Sequence, residues 1–551
     1  MAKKKLFVLR HAARYLVWLS ALVETFALAA LSSGVIQFDL QRLPSRLENH
    51  PTPHKYLIET MPGGIAAFDF DGDGLTDLFF TNGAAVPSLQ KETGRDENRL
   101  FHNEGNFQFR DVTEGSGLAG SGYSMGAAAA DYDNDGKPDL FVTGVNGNHL
   151  YHNDGNGRFS DVTARSGVAG QGWSVAAAWL DFDRDGLLDL FVVNYVEWSP
   201  ESNAACTETA KTTPVYCHPQ KFKGMRNILF RNLGGGRFED VSERSGIGNY
   251  AGKGMGVAIA DYDGDGYPDI FVTNDTLPNF LFHNLRNGKF EEAALDAGVA
   301  LGDNGRPVSG MGADFRDYNN DGWPDIVFSA LAGETFPLFK NLQGKGFQDS
   351  SYQSGLAPLT MRRSGWGIAL ADFDNDGRKD ILSANSHVMD NISLFSGDRY
   401  ELPNSIFRNI GNGKFEDVSA TAGPEFSKPR AHRGLIVADL NNDGRLDAVV
   451  SVLGETPEVW RNKTNTENHW IEFRLVGKHS NRDAIGAQIR LADQMNAQTS
   501  SIGYASSVLG PVHFGLGPVN LVPRIEIQWP NGAKQILTSV HADRIVSLTE
   551  P

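Results

Sequence analysis

Three observations predict an all-β fold, a seven-bladed β-propeller followed by a small C-terminal β-domain. They are an acidic nonapeptide that occurs seven times, a strand of small residues before each copy, and a recurrent pair of apolar strands after it. The copies are DFDGDGLTD from Asp69, DYDNDGKPD from Asp131, DFDRDGLLD from Asp181, DYDGDGYPD from Asp261, DYNNDGWPD from Asp317, DFDNDGRKD from Asp372 and DLNNDGRLD from Asp439. They start 50 to 80 residues apart, a period that marks a repeat architecture. Segments such as NRLFHN, NHLYHN, NILFRN and NSIFRN follow the loops, and then GRFSDVT, GRFEDVS or GKFEDVS. Each unit therefore holds four short runs separated by Gly, Asn and Asp turns, which read as four antiparallel strands.

The strands before the loops read MGAAAA, SVAAAW, MGVAIA, WGIALA and GGIAAF. Innermost strands of a propeller converge on its axis, where bulky side chains collide. Five residues before each loop stands Gly64, Gly126, Gly256, Gly312, Gly367 or Gly434, with Ala176 the exception. Gly122 to Gly126 matches the G-x-S-x-G nucleophile elbow. Gly126, however, is the repeat's own glycine, and Ser124 aligns with Gly254, Gly310 and Gly365, which argues against a catalytic serine. Seven loops are followed by only six GxFxDVT-type strands, so His54 to Met61, HKYLIETM, is expected to supply the missing strand to the unit at 434–462 and join the ends of the ring.

The chain has 551 residues, 61 of them Gly, with 40% hydrophobic residues and a formal charge of -17. That balance excludes nucleic acid or an anionic membrane surface as main partner, since either needs a basic face. Lys3, Lys4, Lys5, Arg10 and Arg14 precede a mostly apolar run from Tyr15 to Leu31, an export pattern. It reads as a signal cleaved near Ala27-Leu28-Ala29, as an uncleaved N-terminal membrane anchor, which Glu24 disfavours, or as a buried helix. In the first two cases the rest of the chain is exported, to a secreted, periplasmic or cell-surface location. The only two cysteines, Cys206 and Cys217, lie in CTETAKTTPVYC. A disulfide stapling that loop, with a contribution of about 3 kcal/mol or less, is favoured over two independent thiols.

Four acids within nine positions repel one another unless a cation joins them. Aspartate at the first, third and fifth positions, Gly at the sixth and a backbone carbonyl at the seventh reproduce the start of an EF-hand calcium loop. The twelfth position is apolar, so the ninth-position aspartate is expected to give the last carboxylate, in bidentate fashion. The expected ligands are Asp69, Asp71, Asp73, Leu75 and Asp77; Asp131, Asp133, Asp135, Lys137 and Asp139; Asp181, Asp183, Asp185, Leu187 and Asp189. The remaining loops give Asp261, Asp263, Asp265, Tyr267 and Asp269; Asp317, Asn319, Asp321, Trp323 and Asp325; Asp372, Asp374, Asp376, Arg378 and Asp380; and Asp439, Asn441, Asp443, Arg445 and Asp447. Up to seven Ca2+ ions are expected. The loops of Asp317 and Asp439, where Asn replaces the third acid, should empty first. Seven divalent ions would bring the formal charge of -17 to -3.

These loops, with their LFxN and GxFxDVT flanks, resemble the FG-GAP/VCBS repeats of integrin α-chain propellers and of the cartilage acidic protein family. NHWIEFRLVGKHSNRDAIGAQIRL, HFGLG and IEIQWPNG are similar to the ASPIC/UnbV domain that follows such propellers in that family. Around YASSVLG the chain departs from the family pattern, which more often carries a Ser-Gln pair. The expected layout is an export signal or anchor over 1–35, a calcium propeller over 50–462 and an ASPIC/UnbV-like β-domain over 465–551. Alternating runs at Ile471 to Leu475, Ile489 to Leu491 and Ile525 to Trp529, and a Pro530-Asn531-Gly532 turn, give that last domain its strands. The resemblance implies binding or adhesion to a protein or carbohydrate ligand rather than enzyme activity; some VCBS-repeat propellers are sugar lyases, so a lyase or hydrolase is the alternative.

If the metal loop joins the first two strands of a unit, connections between second and third strands lie on the opposite face. The insertions at 83–97, 195–226 and 386–403 are all of this type, and long loops on a rigid scaffold are where binding resides. Tyr195, Trp198, Tyr216, His218, His387 and Asp390 are the ligand-binding candidates there. His102, His152 and His283 share a strand position that Arg or Lys fills elsewhere and are weaker candidates; Asn82, Asn194, Asn274 and Asn385 read as turn caps.

Overall fold

The computed structural model describes residues 34–208 and 212–551. The export segment expected over 1–35 lies almost wholly outside the described residues. Among those described, no helix is long and apolar enough to cross a membrane.

The repeats fold into antiparallel sheets, and the acidic loop joins the first and second strands of each. Sheet 1 holds Ile65–Phe68, Asp77–Phe80, Arg99–Asn103 and Phe109–Asp111; sheet 2 holds Ser124–Ala130, Asp139–Gly144, His149–Gly155 and Arg158–Asp161. The first strands of sheets 3 to 7 are Ser174–Leu180, Gly254–Ala260, Ala313–Arg316, Gly365–Ala371 and His432–Ala438. Each first strand packs beside the next, and Ile65–Phe68 also packs against His432–Ala438. The architecture is propeller-like, with a distinct β-domain after it.

The repeated glycine has a steric cause. A Cβ at Gly126 would lie 2.4 Å from the Val175 carbonyl oxygen, and one at Gly434 2.2 Å from that of Gly63. At these points adjoining inner strands touch backbone to backbone. Ser124 is buried at the start of its strand, as a repeat position and not an exposed nucleophile.

The last sheet is completed differently from the expectation. Its outer strand is Phe38–Arg42, paired with Glu458–Asn462, and not His54 to Met61. Phe38 lies opposite Asn462 as Phe109 lies opposite Asn103 and Phe159 opposite Asn153. Phe38–Arg42 thus takes the place of the missing strand, upstream of the 50–462 span, although Ile36 and Leu40 stand where the GxFxD pattern has Gly and Asp. Leu57–Thr60 instead forms a 3-10 turn. Consecutive Leu57 and Ile58 are both buried, which a half-buried strand does not allow.

The C-terminal domain has two sheets around Ile471, Phe473, Ile489, Phe514, Ile525, Ile527 and Trp529. One orders Val512–Gly517, His469–Val476 and Arg544–Thr549; the other Gln494–Ala497, Gln488–Leu491, Leu521–Gln528 and Lys534–His541. The domain sits on the acidic loops: the Arg474 guanidinium donates to the Gly74 carbonyl at 3.1 Å, Arg490 to that of Gly322 at 3.0 Å, and Arg482 N–H to Asn134 Oδ1 at 2.8 Å.

From this domain a hairpin, Ser501–Ile502 and Ser506–Leu509, runs between the inner strands. Ser506–Leu509 pairs in parallel with Ile65–Phe68, Ala67 opposite Val508. Ala127 N–H donates to Ala505 O at 3.1 Å, Ala313 N–H to Gly503 O at 3.1 Å, Trp179 N–H to Ser500 Oγ at 3.0 Å and Ala129 N–H to Ser507 Oγ at 3.1 Å. Inner edges that would otherwise present unpaired backbone groups are satisfied by the hairpin.

Candidate metal centre

Each acidic loop is wound around its own first aspartate. One oxygen of Asp69, Asp131, Asp181, Asp261, Asp317, Asp372 and Asp439 accepts the sixth-position glycine N–H at 2.6 to 3.0 Å, and the other accepts the fifth-position N–H at 3.0 to 3.2 Å. The glycine, Gly74 in the first loop at φ 92°, is in the left-handed region in all seven, which other residues resist. The seventh residue, Leu75, Lys137, Leu187, Tyr267, Trp323, Arg378 or Arg445, donates its N–H to the fifth carboxylate at 2.8 to 3.2 Å.

The ninth aspartate is buried in every loop. One oxygen accepts the second-position N–H at 3.0 to 3.3 Å, the other the N–H of the third strand's asparagine at 2.7 to 2.8 Å. At Asp189, Asp380 and Asp447 this leaves one lone pair per oxygen for a cation. Burial pushes Asp77 up to about 8 and Asp139 and Asp269 up to about 7, with neighbouring aspartates raising Asp77 further. Without a counter-ion these groups resist ionisation.

Potential ligand atoms of Asp69, Asp71 and Asp73 lie within 4.8 Å of one another, as do those of Asp131, Asp133 and Asp135, and of Asp181, Asp183 and Asp189. Among the described residues, buried Asp183 Oδ1, Asp374 Oδ1 and Asn441 Oδ1, all at the third position, have no hydrogen-bond partner. Clustered oxygen donors with unfilled positions fit a hard metal ion. The clusters are able to coordinate a metal.

Two features of the site escaped sequence reasoning. His102, His152 and His283 stand at the acids, each Nδ1 3.1 Å from the ninth aspartate. Arg231 pairs with Asp183 at 2.7 Å, Lys340 with Asp321 at 3.3 Å and Arg408 with Asp374 at 2.8 Å. The position is exchangeable because it supplies a basic side chain, whichever residue carries it. The second feature is the asparagine of each LFxN segment. Asn153 Nδ2 donates to the Phe70 carbonyl in the preceding loop, Asn232 to Tyr132, Asn284 to Phe182, Asn341 to Tyr262, Asn409 to Tyr318, Asn462 to Phe373 and Asn103 to Leu440, at 2.7 to 2.9 Å. Its recurrence in all seven units was the available signal.

On the opposite face two of the insertions, 195–226 and 386–403, meet. Asn391 Nδ2 donates to the Pro214 carbonyl at 2.9 Å, Lys55 Nζ pairs with Asp390 at 2.6 Å, and the Tyr216 hydroxyl donates to Glu59 at 3.1 Å. Cys206 and Cys217 form a disulfide. The six candidates there do not make an open site. Tyr195, Trp198 and Tyr216 are buried, because the cap needs an apolar underside: Tyr195 and Trp198 pack on Trp173 with ring centroids at 5.1 and 5.7 Å. His218 is exposed and accepts the Gln220 N–H; His387 is half-buried and accepts that of Met389. Asn82 Nδ2 donates to the carbonyls of Arg46, Arg95 and Glu97, Asn194 to Arg226, Asn274 to Pro278 and Asn385 to Pro403, as turn caps do.

A family model described as FG-GAP-like repeat matches residues 69–142, 131–192, 222–272, 261–328, 317–383 and 389–450. One described as ASPIC and UnbV matches 477–551. Cartilage acidic protein 1 of Mus musculus is 26% identical over 527 residues, 92% of this chain and 75% of that protein. That of Homo sapiens is 29% identical over 322 residues, 56% and 46% of the two chains. Among solved structures, an Agrocybe aegerita lectin recognising non-reducing terminal N-acetylglucosamine gives a TM-score of 0.37 at 16% identity, covering 78% of this chain and 94% of that one. A Bacillus licheniformis rhamnogalacturonan lyase gives 0.37 at 13%, covering 78% and 76%. TM-scores this low say nothing of function.

Proposed function

The chain belongs to the FG-GAP-like repeat family and carries an ASPIC and UnbV domain, the architecture of cartilage acidic protein 1, and from that premise we propose that it is an exported, calcium-stabilised, seven-bladed propeller that binds a protein or carbohydrate ligand. The asparagine circuit supports seven blades and closure: seven bonds link each acidic loop to the next, the last returning from Asn103 to Leu440. Hard oxygen donors on flexible loops favour calcium over magnesium, which demands stricter octahedral geometry. The disulfide and the basic-then-apolar N-terminus support export.

The observation that carries the binding role is the insertion cap, in which the 195–226 and 386–403 loops are drawn together and tied to Lys55 and Glu59 on the face away from the acids. Catalysis needs polar groups converging on one reacting atom in an open site. His218 and His387 instead serve local turns, and Asp390 is paired with Lys55. Binding to glycan and matrix-protein arrays tests the role: deletion of 201–219 is expected to reduce capture with calcium binding intact. A turnover on a sugar substrate that His387→Ala abolishes would contradict it.

A further inference from the structure

The loops of Asp317 and Asp439 each lack the third-position acid, yet their surroundings differ. At the first, Asn319 Nδ2 donates to Asp325 at 3.2 Å, and the buried Lys379 ammonium donates to the Asp317 carbonyl at 2.9 Å. A positive charge stands there. At the second, the C-terminal domain brings a carboxylate.

That carboxylate is Glu472. On His469–Val476 its neighbours Ile471 and Phe473 fill the domain core, and alternation turns Glu472 the other way, toward the ring. It is 1% exposed, and its Oε2 is buried with no hydrogen-bond partner among the described residues. With Asp439, Leu446, Thr76 and His513 it lines a cavity of about 90 Å³ between domain and ring. Its acidic electrostatic neighbours are Asp439, Asp443 and Asp447, the three carboxylates of that loop. The bases around the cavity do not neutralise it by contact: Arg474 donates to the Gly74 carbonyl at 3.1 Å, His513 Nε2 to that of Gly444 at 3.1 Å, Lys379 to those of Asp317 and Met495 at 2.9 and 3.2 Å, and Arg316 to Asp314 and Asn496 at 3.1 and 3.0 Å. Asn441 Oδ1, in the same loop, is also buried and without a partner. A buried carboxylate among three others, without a hydrogen bond, is costly unless a cation shares it.

We infer that Glu472 is the missing acid of the Asp439 loop and completes its divalent cation site, so that one ion clamps the C-terminal domain to the ring. The inference rests on reading the loops as calcium sites. It also separates the two depleted loops: only that of Asp317 is intrinsically weak, and it alone empties first.

Calorimetric titration and metal analysis of the full chain test this, comparing wild type with Glu472→Gln and with Glu472→Gln plus Asn441→Asp. The single variant is expected to bind one site at least tenfold more weakly, with a smaller calcium-induced rise in melting temperature. The double variant, which restores the loop's own acid, is expected to recover it. If wild type binds calcium and Glu472→Gln gives the same isotherm, the inference falls while the reading of the loops stands; if wild type binds none, both fall. Should the variant not fold, a calcium-soaked crystal of wild type decides. Glu472 is expected at about 2.3–2.6 Å from an ion held by Asp439 and Asp443, and an ion there that Glu472 does not touch overturns the proposal.

Discussion

Tyr504 donates its hydroxyl hydrogen to the Met61 carbonyl at 2.9 Å, tying the tip of the C-terminal hairpin to the cap on the face away from the acidic loops. The ring of Tyr504 also meets Trp366 edge-on, centroids 5.0 Å apart. Tyr504→Phe is expected to cost about 1 kcal/mol through the lost hydrogen bond. Tyr504→Ala should cost about 3–5 kcal/mol through the cavity left among Met125, Met311 and Trp366. Urea unfolding measures both. Equal, negligible losses would mean the hairpin does not support the ring.

The Cys206–Cys217 bridge closes a loop of sequence separation 11 outside the repeat sheets. Changing both residues to serine should cost about 3 kcal/mol or less and raise hydrogen exchange in the insertion, with the repeat strands still protected. Loss of protection across those strands would assign the bridge to the ring itself.

Asp275 accepts the Tyr195 hydroxyl at 2.7 Å. Burial above all pushes it up to about 6; Glu334 adds to the rise, and Tyr195, Lys253 and Ser309 oppose it. Its folded pKa thus exceeds an unfolded value near 3.9. The contribution to stability is full below about pH 4 and is lost as pH rises through about 6. Asp275→Asn keeps an acceptor for Tyr195 and does not titrate. Relative to wild type the variant should gain up to about 3 kcal/mol between pH 4 and 7, read from urea unfolding at both pH values. A difference that does not change with pH would contradict the assignment.

The acidic loops were legible because seven identical spacings constrain residue type. So were the insertion face and the C-terminal strands, whose apolar residues alternate. Phe38–Arg42 was missed because it follows the apolar export run, while Leu57 and Ile58 imitated a strand. The hairpin through the ring gave no signal: Ser500, Gly503, Ala505 and Ser507 are there to meet backbone N–H groups at close quarters, so small size is selected and no hydrophobic period arises. Tyr195, Trp198 and Tyr216 misled for the converse reason, since aromatic residues in an insertion serve its underside as readily as its surface.

The most direct test of calcium as the element that holds the ring is the melting temperature of the metal-loaded protein with and without a chelator, read beside its calcium content. Several bound ions are expected, with a melting temperature that falls on chelation, one ion lost by Asp263→Asn, and the Asp317 loop emptying first on titration. A protein that purifies without calcium and melts at the same temperature in calcium and in chelator would contradict it.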